Sequence, residues 1–444
     1  MNDSRNPFVT PEQLRIGMFV ELEVGWMAHP FPKGSFKISS NKQIETICGL
    51  GLARVRFIPE KSDLPGDAAP DVVAAVLPEP PQTVMAVLDV PEQASASQLR
   101  EQATAQTLLR RKERAEQMDL QQRNLALCER QFSEAIRNYK KTIEQISTQP
   151  AFAAEQCLAL VNGFVDQMLT QGESAIRLLS ESMGDRASMH PVNVAVVALL
   201  LGKAMGLAQA DMVDLGMAAF LHDIGKTQLP DRVRWLEDNF TAAEYKLYQD
   251  HVAQGSALGR RAGLSSGVLS AIEQHHELVD GSGFPLRLKG DSLTKVAKIL
   301  ALVNRYENLC NPIRLAAAMT PHEALALLFA QFKNRYDSVA LNAFIRMMGV
   351  YPPGSVVQLV DERYALVVSV NSARPLKPRL IVYEPSIAKN EALILDMEQV
   401  PSVGIRRSIK PSHLPKGALD YLSPRQRISY FFEQAVDLSP AGGY

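Results

Sequence analysis

Three regimes of apolar spacing run along this chain, and each predicts a different kind of element. Up to residue 61, the β-rich runs Met18-Phe19-Val20-Glu21-Leu22 and Ala53-Arg54-Val55-Arg56-Phe57-Ile58 flank a short helix expected from Gln43 to Cys48 and stopped by Gly49 and Gly51. Trp26, Pro30 and Phe31 are expected as core and turn residues of this small α/β module (1–61). Residues 62–98, with Pro78, Pro80 and Pro81 among alanines and aspartates, read as a linker. Residues 99–150 are rich in Glu, Arg, Gln, Leu and Ala and lack proline until Pro150, which predicts one long exposed helix. Leu108, Leu109, Met118, Leu125, Leu127, Phe132 and Ile136 keep only rough helical spacing on it. It suits either a dimer or partner contact, or a solvated helix that packs on its own domain.

Residues 151–351 read as helix after helix. Val192 to Leu201 are apolar nearly all round, as in a buried core helix. Asp211 is expected to cap the next helix, which runs through Leu215, Met217, Ala219 and Phe220 to His222 and ends near Gly225. His251 lies in a helix opened by Thr241 and Glu244, another helix over 267–277 ends at His275-His276, and 280–293 is a glycine-containing loop. From 352 to 444 the spacing turns to strands at Val356–Val360, Tyr364–Val370, Arg379–Tyr383 and Ala392–Leu395, with Ser423-Pro424 opening a terminal helix to about Ala435. The expected fold is mainly α: a helical bundle core, a small N-terminal α/β module, a long linking helix and a small C-terminal β-rich appendage.

At 444 residues the chain exceeds one ordinary core, so two to four domains are expected. A net charge of −1 gives no whole-chain field towards nucleic acid or a membrane, and the basic pairs Arg110-Arg111 and Arg406-Arg407 are too small to change that. Cys48, Cys128, Cys157 and Cys310 form no CxxC pair, which fits a reducing compartment. The first residues show no apolar signal segment and no run of about 18 apolar residues follows, so a cytoplasmic location is expected.

Chemistry concentrates in histidine. Five of the eight fall between 190 and 276: His190, His222, His251, His275 and His276. Imidazole is the commonest protein metal ligand, and Asp223 beside His222 suits a carboxylate bridging two cations. Such a site cleaves phosphate esters with a water acidified by the metals. Lys226, three residues on, would neutralise phosphate charge. Asp280 reads as a turn residue and Glu277 as a group orienting a histidine. His29, His322 and His413 stand outside the cluster, with His322 read as a surface residue in the first turn of a helix.

The strings His222-Asp223-Ile224-Gly225-Lys226 and His275-His276-Glu277, followed by Asp280-Gly281 and Gly283-Phe284-Pro285, resemble the HD-GYP group of the HD superfamily of metal phosphohydrolases over roughly residues 155–350. The module at 8–60 resembles the small domain of unknown function often joined to them. The resemblance implies an HD-type bundle that hydrolyses cyclic di-GMP to pGpG or GMP with two divalent metals, iron or manganese. By position it implies His190, His222, Asp223, His251, His275, His276 and Asn304 as metal ligands, and Asp223 and Lys226 as catalytic residues. Lys226, Gly283, Phe284, Pro285, Glu307 and Arg314 are expected to meet the substrate. Three departures stand out: Phe284 replaces the tyrosine of the family's loop, Asn304 and Glu307 replace two aspartates three apart, and Arg186 occupies the place of a glutamate found in three-metal members. Zinc suits the His/Asp donors as well as iron or manganese does. The alternative function is a degenerate, non-catalytic nucleotide sensor or protein-interaction module.

Overall fold

The computed structural model describes residues 8–22, 35–50, 52, 54–63, 96–170, 172–180, 185–235, 240–400 and 402–434. Trp26, Pro30, Phe31 and most of the linker (64–95) lie outside the described residues. The chain divides into two compact units, Met1–Ser95 and Ala96–Tyr444.

In the first unit, strands β1 (Phe8–Val9), β2 (Phe19–Glu21), β3 (Ser35–Lys37) and β4 (Val55–Phe57) form an antiparallel sheet in the order β1-β4-β2-β3. Helix α1 (Asn41–Gly49) covers the expected Gln43–Cys48 segment. Val9, Met18, Val20, Ile38, Ile47 and Val55 make its small core.

The second unit opens on α2 (Ala96–Gln145), a 50-residue helix, and α3 (Pro150–Thr170). Only the C-terminal part of α2 joins the main core, through Cys128, Phe132, Ala135 and Ile136, whereas Leu108, Leu109 and Leu127 stay exposed. Strand β5 (Ser174–Leu178) follows, then α4 (Arg186–Ala204), α5 (Gln209–Leu221), α6 (Ala242–Arg261), α7 (Ser266–Gln274), α8 (Lys295–Cys310), α9 (Pro321–Gln331) and α10 (Ser338–Met348). Side-chain caps fix most starts: Asp185 accepts from Ser188 N–H, Thr241 forms a capping box with Glu244, and Ser265, Thr294 and Asp337 cap α7, α8 and α10. Asp211 does not cap α5. It sits in the helix's first turn, where its charge still meets the positive end. Among the described residues α4 alone is long and apolar enough to cross a membrane, and 83% of that window is buried inside the fold, as a core helix requires.

The C-terminal region corrects two expectations. It is not a separate appendage: β6 (Val356–Leu359), β7 (Tyr364–Asn371), β8 (Arg379–Val382), β9 (Ile394–Asp396), β10 (Ile405–Ile409) and β11 (Tyr430–Gln434) join β5 in one seven-stranded antiparallel sheet. Strand β7 pairs β6 through Tyr364–Leu366 and β5 through Ser369–Asn371, with β8 on its other edge. Nor do residues 424–434 form the expected helix. Ser423 ends the short α11 (Lys416–Leu422) with φ 41°, and Tyr430–Gln434 pairs with Leu178–Ser174 as an edge strand. Burial explains the strand: Tyr430, Phe431 and Phe432 are all buried, and Phe431 meets Phe132 and Phe164 edge-on. Glu433 completes the tie, near Arg177 of β5 (3.8 Å) and accepting from Ser369 Oγ of β7 (3.0 Å). Phe431→Ala should therefore cost about 3–5 kcal/mol in chemical denaturation; a loss below about 1 kcal/mol would show that β11 is peripheral.

Candidate metal centre

The helices of the second unit bring the five histidines together around one carboxylate. His190 projects from α4, His222 and Asp223 follow α5, His251 lies on α6, and His275 and His276 follow α7. All but His276 are buried to 8% exposure or less, and His276 is half-buried. Their ligand atoms form two groups that share Asp223: His190, His222 and Asp223 in one, Asp223, His251, His275 and His276 in the other, each spanning at most 4.8 Å. The carboxylate is divided accordingly. Oδ2 lies 3.7 Å from His190 Nε2 and 3.5 Å from His222 Nε2, while Oδ1 lies 3.6 Å from His251 Nε2 and 3.7 Å from His275 Nε2.

The outer nitrogens decide what the inner ones can do. His222, His251 and His275 each donate Nδ1–H to the backbone carbonyl three residues earlier, Ala219 (2.8 Å), Tyr248 (2.5 Å) and Ile272 (2.6 Å). His190 donates its Nδ1–H to Glu307. A neutral imidazole that donates from Nδ1 has only a lone pair at Nε2. Yet His190 and His222 Nε2 stand 3.2 Å apart, and His251 and His275 Nε2 stand 3.3 Å apart. Two facing acceptors cannot hydrogen-bond each other. Two nitrogens ligating one cation at about 2.1 Å would stand about 3.0–3.4 Å apart. Nε2 of His276 and Oδ1 of Asp223 are buried with no hydrogen-bond partner. These orphaned acceptors fit metal ions.

Electrostatics keeps the donors ready. Burial depresses the imidazoles, His222 to about 4 and His251 and His275 to about 3, with His276 also well below its usual value. Burial alone would raise the Asp223 carboxyl, but the Lys226 ammonium and the surrounding imidazoles hold it well below the usual carboxylate range. Lys226 Nζ donates to Asp223 Oδ2 at 2.6 Å, and this contact outweighs burial to hold the ammonium above its ordinary pKa. The ammonium also sits over the rings of Trp235 (5.1 Å) and Tyr248 (5.5 Å).

Two glycines allow these approaches. A Cβ on Gly225 would lie 1.9 Å from the His251 carbonyl oxygen, and one on Gly283 would lie 2.5 Å from the backbone of both His276 and Glu277. Phe284 stacks on His276 at 4.4 Å with 21° between the rings.

Beside the histidines lies a cavity of about 460 Å³ lined by Lys226, Gly283, Phe284 and Asn304, as the sequence suggests, and by residues it did not single out: Trp235, Tyr245, Tyr248, Arg335 and Tyr336. Arg186, read only as a departure from the family pattern, and Arg305 complete its cationic wall. Tyr245, Tyr248 and His251 recur every three residues, a helical signal that was available in the sequence; Arg335 and Tyr336 carried none. Asn304 is buried, and its Oδ1 accepts from Asn308 Nδ2 at 2.7 Å.

Three expected substrate residues are placed elsewhere. Glu307 is buried behind His190, where it also accepts from Asn193 (3.3 Å) and Asn311 (2.9 Å), so it holds the imidazole and does not face the cavity. Pro285 is off the wall, because the chain turns away where Glu277 accepts from Leu286 N–H (2.6 Å) and Leu288 N–H (2.9 Å). Glu277 therefore shapes the loop and orients no histidine. Arg314 is exposed at the start of a short 3₁₀ turn beyond the wall. Asp280 accepts from Ser282 N–H at 2.9 Å, which makes it a turn residue.

A histidine with a pKa of 6.5 unfolded and about 3–4 folded binds fewer protons in the folded state between those values. Metal-free stability should therefore rise with pH across that window and be lost as pH falls below 6.5, by up to about 1.4 kcal/mol per pH unit for each of His222, His251 and His275. Thermal melts in chelator from pH 7 to pH 4 measure this; a flat profile would contradict it.

Comparison with known proteins agrees with the site. Residues 157–339 match the HD domain family, and residues 9–157 match a domain of unknown function, DUF3391, whose span runs beyond the expected module into α3. The chain is 26% identical over 377 residues to the cyclic di-GMP phosphodiesterase PA4108 of Pseudomonas aeruginosa, covering 84% of this chain and 83% of that protein. It is 29% identical over 201 residues to the cyclic di-GMP phosphodiesterase response regulator RpfG of Xanthomonas campestris, covering 45% of this chain and 53% of RpfG. A solved HDG"Y"P protein of Bdellovibrio bacteriovorus, Bd1817, overlays 76% of this chain and 98% of its own with 13% identity and a TM-score of 0.40, too loose a likeness to carry an assignment. The two family matches and these relatives together support an HD-GYP-type phosphodiesterase domain preceded by a DUF3391 domain.

Proposed function

We propose that this chain hydrolyses the phosphodiester bonds of cyclic di-GMP, giving pGpG or GMP, at a dinuclear centre bridged by Asp223. The observation that carries the reading is the sharing of that one carboxylate between two sets of facing Nε2 lone pairs. The cavity supports the substrate class: Lys226, Arg186, Arg305 and Arg335 line it with no carboxylate among its lining residues, which suits a ligand carrying two phosphates. Relatives named as cyclic di-GMP phosphodiesterases support the identity of the bases. A cytoplasmic location accords with that substrate.

Two bound divalent cations, iron or manganese by resemblance, would supply a water acidic enough to attack phosphorus near neutral pH and Lewis-acid contact to a phosphate oxygen. The chain's own residues do the remaining work. Burial keeps His222, His251, His275 and His276 neutral, so no proton competes for their lone pairs, and His190 is held in place by its Nδ1 contact with Glu307. Lys226 spends one donor on Asp223 and keeps two for phosphate oxygens. Phe284, held against His276, and the rings of Trp235 and Tyr245 offer faces on which guanine stacks. Asn304 contributes at most a neutral oxygen, and that oxygen is already engaged by Asn308.

The test is turnover of cyclic di-GMP by anaerobically purified protein loaded with Fe(II) or Mn(II). Asp223→Ala should lower the rate about a thousandfold or more while leaving the fold intact. No turnover with either metal, together with retained nucleotide binding, would instead favour the sensor.

A further inference from the structure

A second cavity, of about 500 Å³, lies outside the metal centre, between the start of α9 and strand β10. It gathers features that the proposed hydrolysis leaves unused: the Arg406-Arg407 pair, Lys410, and the imidazoles of His322 and His413. A bulge brings the two arginines to one place. The pairing of β10 with β6 shifts register between Ile405 and Arg407, so that Arg406 is the extra residue and neighbouring side chains that would alternate across the sheet both reach the cavity.

The cations are not equally committed. Arg406 is paired with Glu362, and Lys410 with Glu323 at 2.9 Å. Arg407 donates from Nε to the neutral Gln358 Oε1 at 3.0 Å and meets no carboxylate among the described residues, so its terminal amino groups are left for an anion. The same cavity is also lined by an aromatic pair. His322 is no loose surface residue: its Nδ1 donates to Val350 O at 2.8 Å, and its ring stacks on Tyr351 at 5.2 Å with 23° between the planes. Tyr364 lines the same space.

We propose that this cavity binds a small phosphorylated aromatic ligand of the nucleoside monophosphate class, with Arg407 holding the phosphate and the His322–Tyr351 pair stacking the base. Its volume falls in the range of small-molecule sites, about 300–1,000 Å³, and its cation and ring faces give the two contacts such a ligand needs. The site stands whether or not the histidine cluster hydrolyses cyclic di-GMP.

The experiment is calorimetric titration of the full chain with GMP, guanosine and inorganic phosphate, comparing the parent with Arg407→Ala and Tyr351→Leu. The parent should show a GMP-binding event that weakens about tenfold or more in both variants and is absent with guanosine. Metal content, melting temperature and cyclic di-GMP turnover without added GMP should match the parent in Arg407→Ala, which separates this site from the metal centre. Identical GMP isotherms in parent and Arg407→Ala would overturn the proposal. Inorganic phosphate binding as tightly as GMP, unaffected by Tyr351→Leu, would overturn it too by showing an anion site with no use for its rings.

Discussion

The Asp223 carboxylate is the constraint around which the second unit is organised. It is a buried anion facing four imidazole lone pairs, and among the described residues only the Lys226 ammonium answers it directly, at 2.6 Å. Lone pairs and a carboxylate brought this close repel one another unless cations lie between them, and leaving a buried acceptor unpaired costs about 1–3 kcal/mol. A fold that repeats this arrangement at four histidines has been shaped around positive charge. Gly225 and Gly283 serve the same end, since any side chain there would push the backbone of His251 or His276 outward.

What keeps His190 in place extends to the far end of the chain. His190 leans on Glu307; Glu307 is held by Asn193 and Asn311; and those two asparagines bond the backbone leading into and opening β11. Asn193 and Asn311 donate to Ile428 O at 2.9 and 2.8 Å, Asn311 accepts from Ile428 N–H at 2.8 Å, and Asn193 accepts from Tyr430 N–H at 3.1 Å. The C-terminal strand is thus part of the metal centre's support, which explains why it shares one core with the helices.

The sequence makes the site far more legible than the architecture around it. Histidine beside aspartate, a double histidine and glycines at fixed offsets are local signals, and the structure brings those residues together. The α helices follow from apolar period and from caps such as Thr241 and Ser265, which also act locally. Strand β5 was hidden because Ser174–Leu178 is five residues inside a helical region, and its strand character comes from partners about 200 and 250 residues away. Strand β10 was hidden because consecutive arginines at its bulge break the alternation that marks a strand. At the chain's end, Ser423-Pro424 gave a sound local reason for a helix that the burial of three aromatic side chains outweighed. Glu307 was misplaced for a related reason: a carboxylate near a metal motif reads the same whether it faces the ligand or stands behind a histidine.

The most direct measurement is the metal content of anaerobically purified protein, by elemental analysis per chain, for the parent and for Asp223→Asn. Sharing of one carboxylate predicts about two equivalents of iron or manganese in the parent and loss of both when that single side chain loses its charge. A parent that binds one equivalent or none, or an Asp223→Asn protein that keeps both, would contradict the account.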